Sequence, residues 1–230
     1  MKIEIHKNED RGAGEYGWLS TRYSFSFSNW YNPARMGFGK LRVLNDDIIA
    51  PHTGFDTHGH RDMEIITIVM RGVVSHKDSM GNERKVEEGM IQVMSAGTGV
   101  MHSEHNNEDV PLELFQLWIE SKEKGIAPRY EEQKVDFLKD EDVRAVLVGE
   151  GALTINQDAS ITYISSVGEK NEVYSLKDGE HGVYLFVIEG EVKLGDAIAQ
   201  RRDALCISET AGLSLHFSPN TKVLLVEMPL

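Results

Sequence analysis

His58-Gly59-His60 and, further along the chain, His102-Ser103-Glu104 repeat one pattern: a side chain able to bind metal, any residue, then a second such side chain. On a strand, side chains alternate between faces, so each pair aims both groups the same way from Cα atoms ~6.5 Å apart. Four groups presented like this can close on one ion. Three imidazoles and a carboxylate suit a divalent transition metal such as iron, nickel, copper or zinc. They argue against calcium and magnesium, which take oxygen ligands. The pattern therefore asks for strands that bring both pairs to one point, and it reads as an active site.

Working outward from the first pair, the alternation can be followed from Phe55 to Met70. A regular strand there would put His58, His60, Glu64, Ile66, Ile68 and Met70 on one face and Ile65, Thr67 and Val69 on the other. That face has polar ligands at one end and apolar residues beyond, as a barrel interior with a site near its mouth would. Before it, Met1–Ile5, Tyr23–Phe27 and Leu41–Leu44 read as strands. After it, Asp78-Ser79-Met80-Gly81-Asn82 is a tight turn, and Met90–Met94 leads through Ala96-Gly97-Thr98-Gly99 to His102. On Leu112–Glu120, Leu114, Gln116 and Trp118 share a face. A buried glutamine must find partners, and a metal ligand would supply one.

The charged run Glu131–Asp142 holds the only plausible helical periodicity, and residues 126–145 read as a linker between domains at 1–125 and 146–230. Beyond it, short strand candidates separated by Gly, Asp, Asn and Pro turns indicate a second sandwich or barrel. Ile68-Val69-Met70-Arg71-Gly72-Val73-Val74 resembles Phe186-Val187-Ile188-Glu189-Gly190-Glu191-Val192, the mark of a duplication. The second copy has no His-x-His.

Hydrophobic residues make up 40% and charged residues 27% of the 230, the balance of an ordinary globular chain. A net charge of -13 without any Lys/Arg-rich run offers no footprint for phosphate backbones or anionic lipid. A direct nucleic-acid or membrane ligand is not expected. The lone Cys206 cannot form an internal disulfide and reads as a buried core thiol. The first residues hold no apolar run of signal-peptide length, and a cytoplasmic location is expected.

With those residues placed, Gly54, His58, His60, Glu64, Gly89, Gly97, His102 and Asn106 resemble the two motifs of a cupin. More narrowly, the chain resembles the pirin family over nearly its whole length. The segments that carry the likeness are 36–47, Gly54-Phe55-Asp56-Thr57-His58-Gly59-His60-Arg61-Asp62-Met63-Glu64, 78–82, Met94 through Glu104, and Ile155-Asn156-Gln157-Asp158-Ala159. It is similar to bacterial pirins with quercetin 2,3-dioxygenase activity. One departure is Gly59, where relatives often carry proline.

The resemblance implies an all-β bicupin: two antiparallel β-barrel (jelly-roll) domains packed face to face, with metal in the first only. It gives the ligand role to His58, His60, His102 and Glu104. Glu64, a ligand in many other cupins, then stands behind the ligands together with Gln116, orienting an imidazole by accepting its other N–H. The cofactor is one divalent transition metal, Fe(II) first, with Ni, Cu, Zn, Mn or Co as substitutes. The substrate is a flavonol-like aromatic, opened by O2 with release of carbon monoxide, and Glu104 is the base for its 3-hydroxyl proton. The alternative is a metal-bound regulator or interaction module with a protein partner and no catalysis. A hydrolase or isomerase using the metal as a Lewis acid is a third reading. A monomer is expected. His6, His52, His76, His105, His181 and His216 are assigned surface or core roles.

Overall fold

Glycine and short polar turns cut the chain into twenty-one strands and one 3-10 turn, Asn8–Asp10, in a computed structural model that describes residues 1–230. In chain order the first twelve are β1 (Lys2–His6), β2 (Gly12–Glu15), β3 (Leu19–Tyr23), β4 (Leu41–Ile49), β5 (Thr53–His60), β6 (Met63–Arg71), β7 (Val73–Asp78), β8 (Glu83–Glu87), β9 (Met90–Ser95), β10 (Val100–Asn106), β11 (Leu112–Glu120) and β12 (Arg129–Lys134). The remainder are β13 (Val143–Val148), β14 (Ser160–Ser166), β15 (Lys170–Ser175), β16 (His181–Glu189), β17 (Glu191–Leu194), β18 (Ala197–Gln200), β19 (Ala204–Ser208), β20 (Gly212–Phe217) and β21 (Thr221–Pro229).

These strands form two pairs of antiparallel sheets. The first half pairs a seven-stranded sheet, β12-β9-β6-β11-β4-β3-β2, with a four-stranded one, β5-β10-β7-β8. The second pairs a six-stranded sheet, β1-β19-β16-β21-β14-β13, with the four-stranded β15-β20-β17-β18. The two large sheets lie face to face. Between them Ile66, Ile68, Phe115 and Leu117 of the first half share one core with Tyr184, Phe186, Leu224 and Val226 of the second. Phe115 meets Phe186 edge-on with ring centroids 5.6 Å apart. Each fully buried Leu, Ile or Phe contributes roughly 1.5–3 kcal/mol, so the halves are held by a core and not by a tether. This is the bicupin arrangement expected.

The duplication is visible in β6 and β16, the counterparts in the sequence likeness. Both sit inside their sheets with neighbours on each side, and both are buried on both faces, which is why each reads as a nearly continuous apolar run. Each ends at a glycine in the left-handed region, Gly72 (φ 84) and Gly190 (φ 80), where a side chain would be strained.

The regular strand from Phe55 to Met70 is not observed. The chain breaks at Arg61-Asp62, with Asp62 left-handed at φ 51, and passes from the four-stranded to the seven-stranded sheet. Two hydrogen bonds hold the break: Asp62 N–H donates to the Gly97 carbonyl at 3.0 Å, and Gly125 N–H donates to Asp62 Oδ1 at 2.7 Å. The alternation restarts there. Ile66 and Ile68 face the second half, whereas Ile65, Thr67 and Val69 face the interior of the first.

Three strands depart from the expected boundaries, and one of them, β13, starts at Val143 inside the expected linker. β1, inside residues 1–125, pairs with β19 in the second half, where Ile3 and Ile5 pack against its core. Within 126–145 there is no helix. β12 adds to the edge of β9 from Arg129↔Ser95 to Lys134↔Met90, and Phe137 is fully buried between the halves. An open sheet edge gives the segment a ready-made ladder along one side, whereas a short isolated helix is marginal in water. The alternation read at Tyr23–Phe27 also stops short, since β3 ends at Tyr23.

Candidate metal centre

β10 runs between β5 and β7, and the register sets His102 opposite His58 on one side and Asp78 on the other. Two residues on, Glu104 emerges on the same face opposite His76. The β5–β10 ladder slips by one residue between His102 and Glu104, a bulge of the kind that re-aims side chains at a site. Gly54 lies across from His105, and a Cβ there would run into the backbone of Glu104 and His105, so the glycine lets the strands close up.

The three expected imidazoles converge. Ring centroids are 4.4 Å apart for His58 and His102, and 4.9 Å apart for both His58–His60 and His60–His102. One ring nitrogen from each lies within 4.8 Å of the others. His58 Nδ1–H donates to the Asp56 carbonyl at 2.8 Å, which fixes the tautomer and leaves Nε2 as a lone-pair donor. His102 is 1% exposed, and neither of its ring nitrogens has a hydrogen-bond partner. A buried imidazole left with both nitrogens free, beside two more, fits a metal that takes one of them. Burial, with the neighbouring imidazoles adding to it, pushes His60 down to about 4, and burial pushes His102 down to about 4. Both are neutral at physiological pH, the state that ligation requires.

Glu104 stands beside this cluster in a second buried triple with His102 and His76, also within 4.8 Å. Gln116 Nε2 donates to its Oε2 at 2.8 Å, and Thr67 Oγ1 and Gln92 Nε2 donate to Oε1 at 3.2 and 3.4 Å. Burial opposes its ionisation, but the imidazoles of His102 and His76 and the Gln116 amide outweigh it and hold the carboxyl below its usual range. Trp118 Nε1–H donates to Gln116 Oε1 at 3.0 Å, so the amide can turn only its NH2 toward Glu104. The site opens into a cleft of about 510 Å³ with His58, Glu104 and Gln116 on its wall and Trp18, Phe55 and Trp118 among its apolar surfaces.

Glu64 is elsewhere. It accepts from Ser95 Oγ at 2.5 Å, Ser121 Oγ at 2.6 Å and the Asn156 backbone N–H at 3.1 Å, and it belongs to neither cluster of histidines. The break at Asp62 turned it toward the second half, where it ties the two halves together. His76 departs the other way, from an expected surface or core residue to a member of the cluster. It stacks on Tyr130 with centroids 4.8 Å apart, and its Nε2 pairs with Asp78 Oδ2 at 3.0 Å. His76-Lys77-Asp78 has the same every-other spacing as the ligand pairs and leads into the Asp78–Asn82 turn, and that signal was available. The other five histidines lie outside both triples.

Residues 5–119 match the family model Pirin, and residues 148–228 match the quercetinase C-terminal cupin domain. Quercetin 2,3-dioxygenase from Escherichia coli K12 is 39% identical over 229 residues, covering 99% of each chain. The chain belongs to the pirin family. Among solved structures, YhhW from Escherichia coli superimposes on this pirin with a TM-score of 0.92 at 38% identity, covering 99% of this chain and 98% of that one. The bacterial pirin YhhW in complex with nickel(II) matches with a TM-score of 0.92 at 37% identity, covering 99% of both chains.

Proposed function

We propose that this pirin is a metal-dependent quercetin 2,3-dioxygenase, opening a flavonol ring with O2 and releasing carbon monoxide, with His58, His60, His102 and Glu104 as its metal ligands. The observation that carries the reading is the convergence of three imidazoles and a hydrogen-bonded carboxylate beside an aromatic-lined cleft. The relatives named for that activity and the nickel-bound neighbour support it. Fe(II) is the metal we favour for oxygen chemistry. The cation would supply Lewis acidity that makes the flavonol 3-hydroxyl more acidic.

The chain's own residues do the rest. Glu104, held as a carboxylate, takes the proton from the 3-hydroxyl as a positioned general base. Gln116, locked by Trp118, keeps one carboxylate oxygen aimed while that proton moves. Trp18, Phe55 and Trp118 flank the flat ring system and exclude water from it. No helix of the chain is long and apolar enough to cross a membrane, and we place the protein in the cytoplasm, where reducing conditions keep iron ferrous.

The test is anaerobic loading with each candidate metal, followed by quercetin and air. Loss of flavonol absorbance with carbon monoxide release supports the enzyme. Inertness with every metal favours the regulator that binds a protein partner, and turnover that is equally fast without oxygen favours a Lewis-acid hydrolase or isomerase.

A further inference from the structure

The cleft extends past the metal centre to a polar wall that the proposed reaction leaves unused. β4 carries it, with Asn45 and Asp47 lining the cleft. Asp46, between them, turns to the opposite face, where Arg202 Nε meets it at 2.9 Å and Arg11 Nη1 at 3.6 Å. Asn45 lies opposite Tyr23 and Gln116 in the ladders, and Asp47 lies opposite Thr21 and Leu114. The wall is therefore continuous with the residue that holds Glu104 and runs one further step along the strand.

Thr21, Asn45 and Asp47 are 1%, 3% and 3% exposed, yet Thr21 Oγ1, Asn45 Oδ1 and Asp47 Oδ1 have no hydrogen-bond partner within the protein. Buried polar atoms are normally paired, and three unpaired ones on a single cleft wall have the character of a ligand surface. All three atoms can accept, and a ligand that carries hydroxyl groups supplies donors that would satisfy them. Arg11 and Arg202 engage Asp46 on the far face, and the pull of Arg11 and of the Thr21 hydroxyl on Asp47 is outweighed by burial, to which the charges of Asp46 and Glu104 add. Burial accordingly pushes the Asp47 carboxyl up to about 7. A ligand hydroxyl would relieve that desolvation.

We infer that Thr21, Asn45 and Asp47 form a hydroxyl-reading wall, on which Asp47 accepts a hydrogen bond from a phenolic hydroxyl remote from the oxygen engaged at the metal centre. The cleft therefore selects polyhydroxylated flavonols over bare ones. The inference rests on the flavonol reading above, and its test separates the two. Trp18 and Trp118 line the same cleft and report occupancy by fluorescence quenching.

Dissociation constants for quercetin and for 3-hydroxyflavone, which keeps only the 3-hydroxyl, are to be measured anaerobically on metal-loaded wild type, Asp47→Leu, Asp47→Asn and Thr21→Val. Consumption of both compounds is then followed on admitting air. Wild type should prefer quercetin by about 10-fold or more, since a site built around a hydroxyl rejects its absence strongly. Asp47→Leu should bring the ratio close to one. Asp47→Asn, which keeps the shape and loses the charged acceptor, and Thr21→Val should each lose part of it, so the test survives if the leucine variant does not fold. A wild type without preference, or a preference untouched in folded Asp47 variants, overturns the wall even when both flavonols are consumed. A preference that depends on Asp47, with neither flavonol consumed under any metal, upholds the wall and overturns the dioxygenase. Absence of binding by either compound overturns both.

Discussion

Gln116 on the seven-stranded sheet reaches across the first half to Glu104 on the four-stranded sheet, donating to it at 2.8 Å. The two sheets are thus joined through the proposed base itself. A hydrogen bond to a charged group is worth about 1.5–3 kcal/mol. Gln116→Leu, of similar volume, should therefore lower turnover of quercetin about 10-fold or more while the metal content of the purified protein stays near that of wild type. Equal loss of metal and activity would show that Gln116 acts only by holding the site together.

His102→Ala and Glu104→Ala should each abolish turnover and weaken metal binding, with the fold intact. The strands carrying them are fixed by ladders on both sides, so circular dichroism should stay that of wild type. Metal-to-protein ratios measured by mass spectrometry should fall in both. Full metal content and activity in either variant would remove that residue from the ligand set.

Glu64→Ala should do the reverse. It deletes a fully buried carboxylate that accepts three hydrogen bonds at the junction between the halves. The loss leaves Ser95, Ser121 and the Asn156 N–H without their acceptor, a cost of about 2–4 kcal/mol in chemical denaturation. Metal content should be retained. A variant that loses metal at unchanged stability would return Glu64 to the metal centre.

Asp47 gives the pH signature. Its folded value is raised by burial to about 7 from 3.8, so between those values the folded state holds a proton that the unfolded state has released. Its contribution to stability is therefore full below about 3.8 and is lost as pH rises through about 7. At pH 8 the ionised carboxylate is a net burden, at most on the order of 4 kcal/mol. Asp47→Asn should raise the melting temperature at pH 8 by several degrees, and the gain should shrink toward zero near pH 4. A gain that does not vary with pH would mean that the carboxyl does not titrate there.

The two ligand pairs, the glycines at the turns and the echo between 68–74 and 186–192 are all local, and the order of residues is enough to find them. Short-range rules suffice for such features: a period of two faces both members of a pair the same way, and a glycine permits a left-handed turn. The all-β class and the duplicated architecture follow from them. Other features depend on which sheet a strand joins, and those emerge from the packing of the folded chain. The break at Asp62 sent β6 to a different sheet from β5, which reversed the facing of Ile65 through Val69 and carried Glu64 away from the imidazoles. The pairing of β7 with β10 brought His76 against Glu104, and the pairing of β4 with β3 and β11 stacked Thr21, Asn45, Asp47 and Gln116 into one wall. Strand partners lie far apart in the chain and are chosen by the packing of whole sheets, so no window of residues contains the information that puts those side chains in contact.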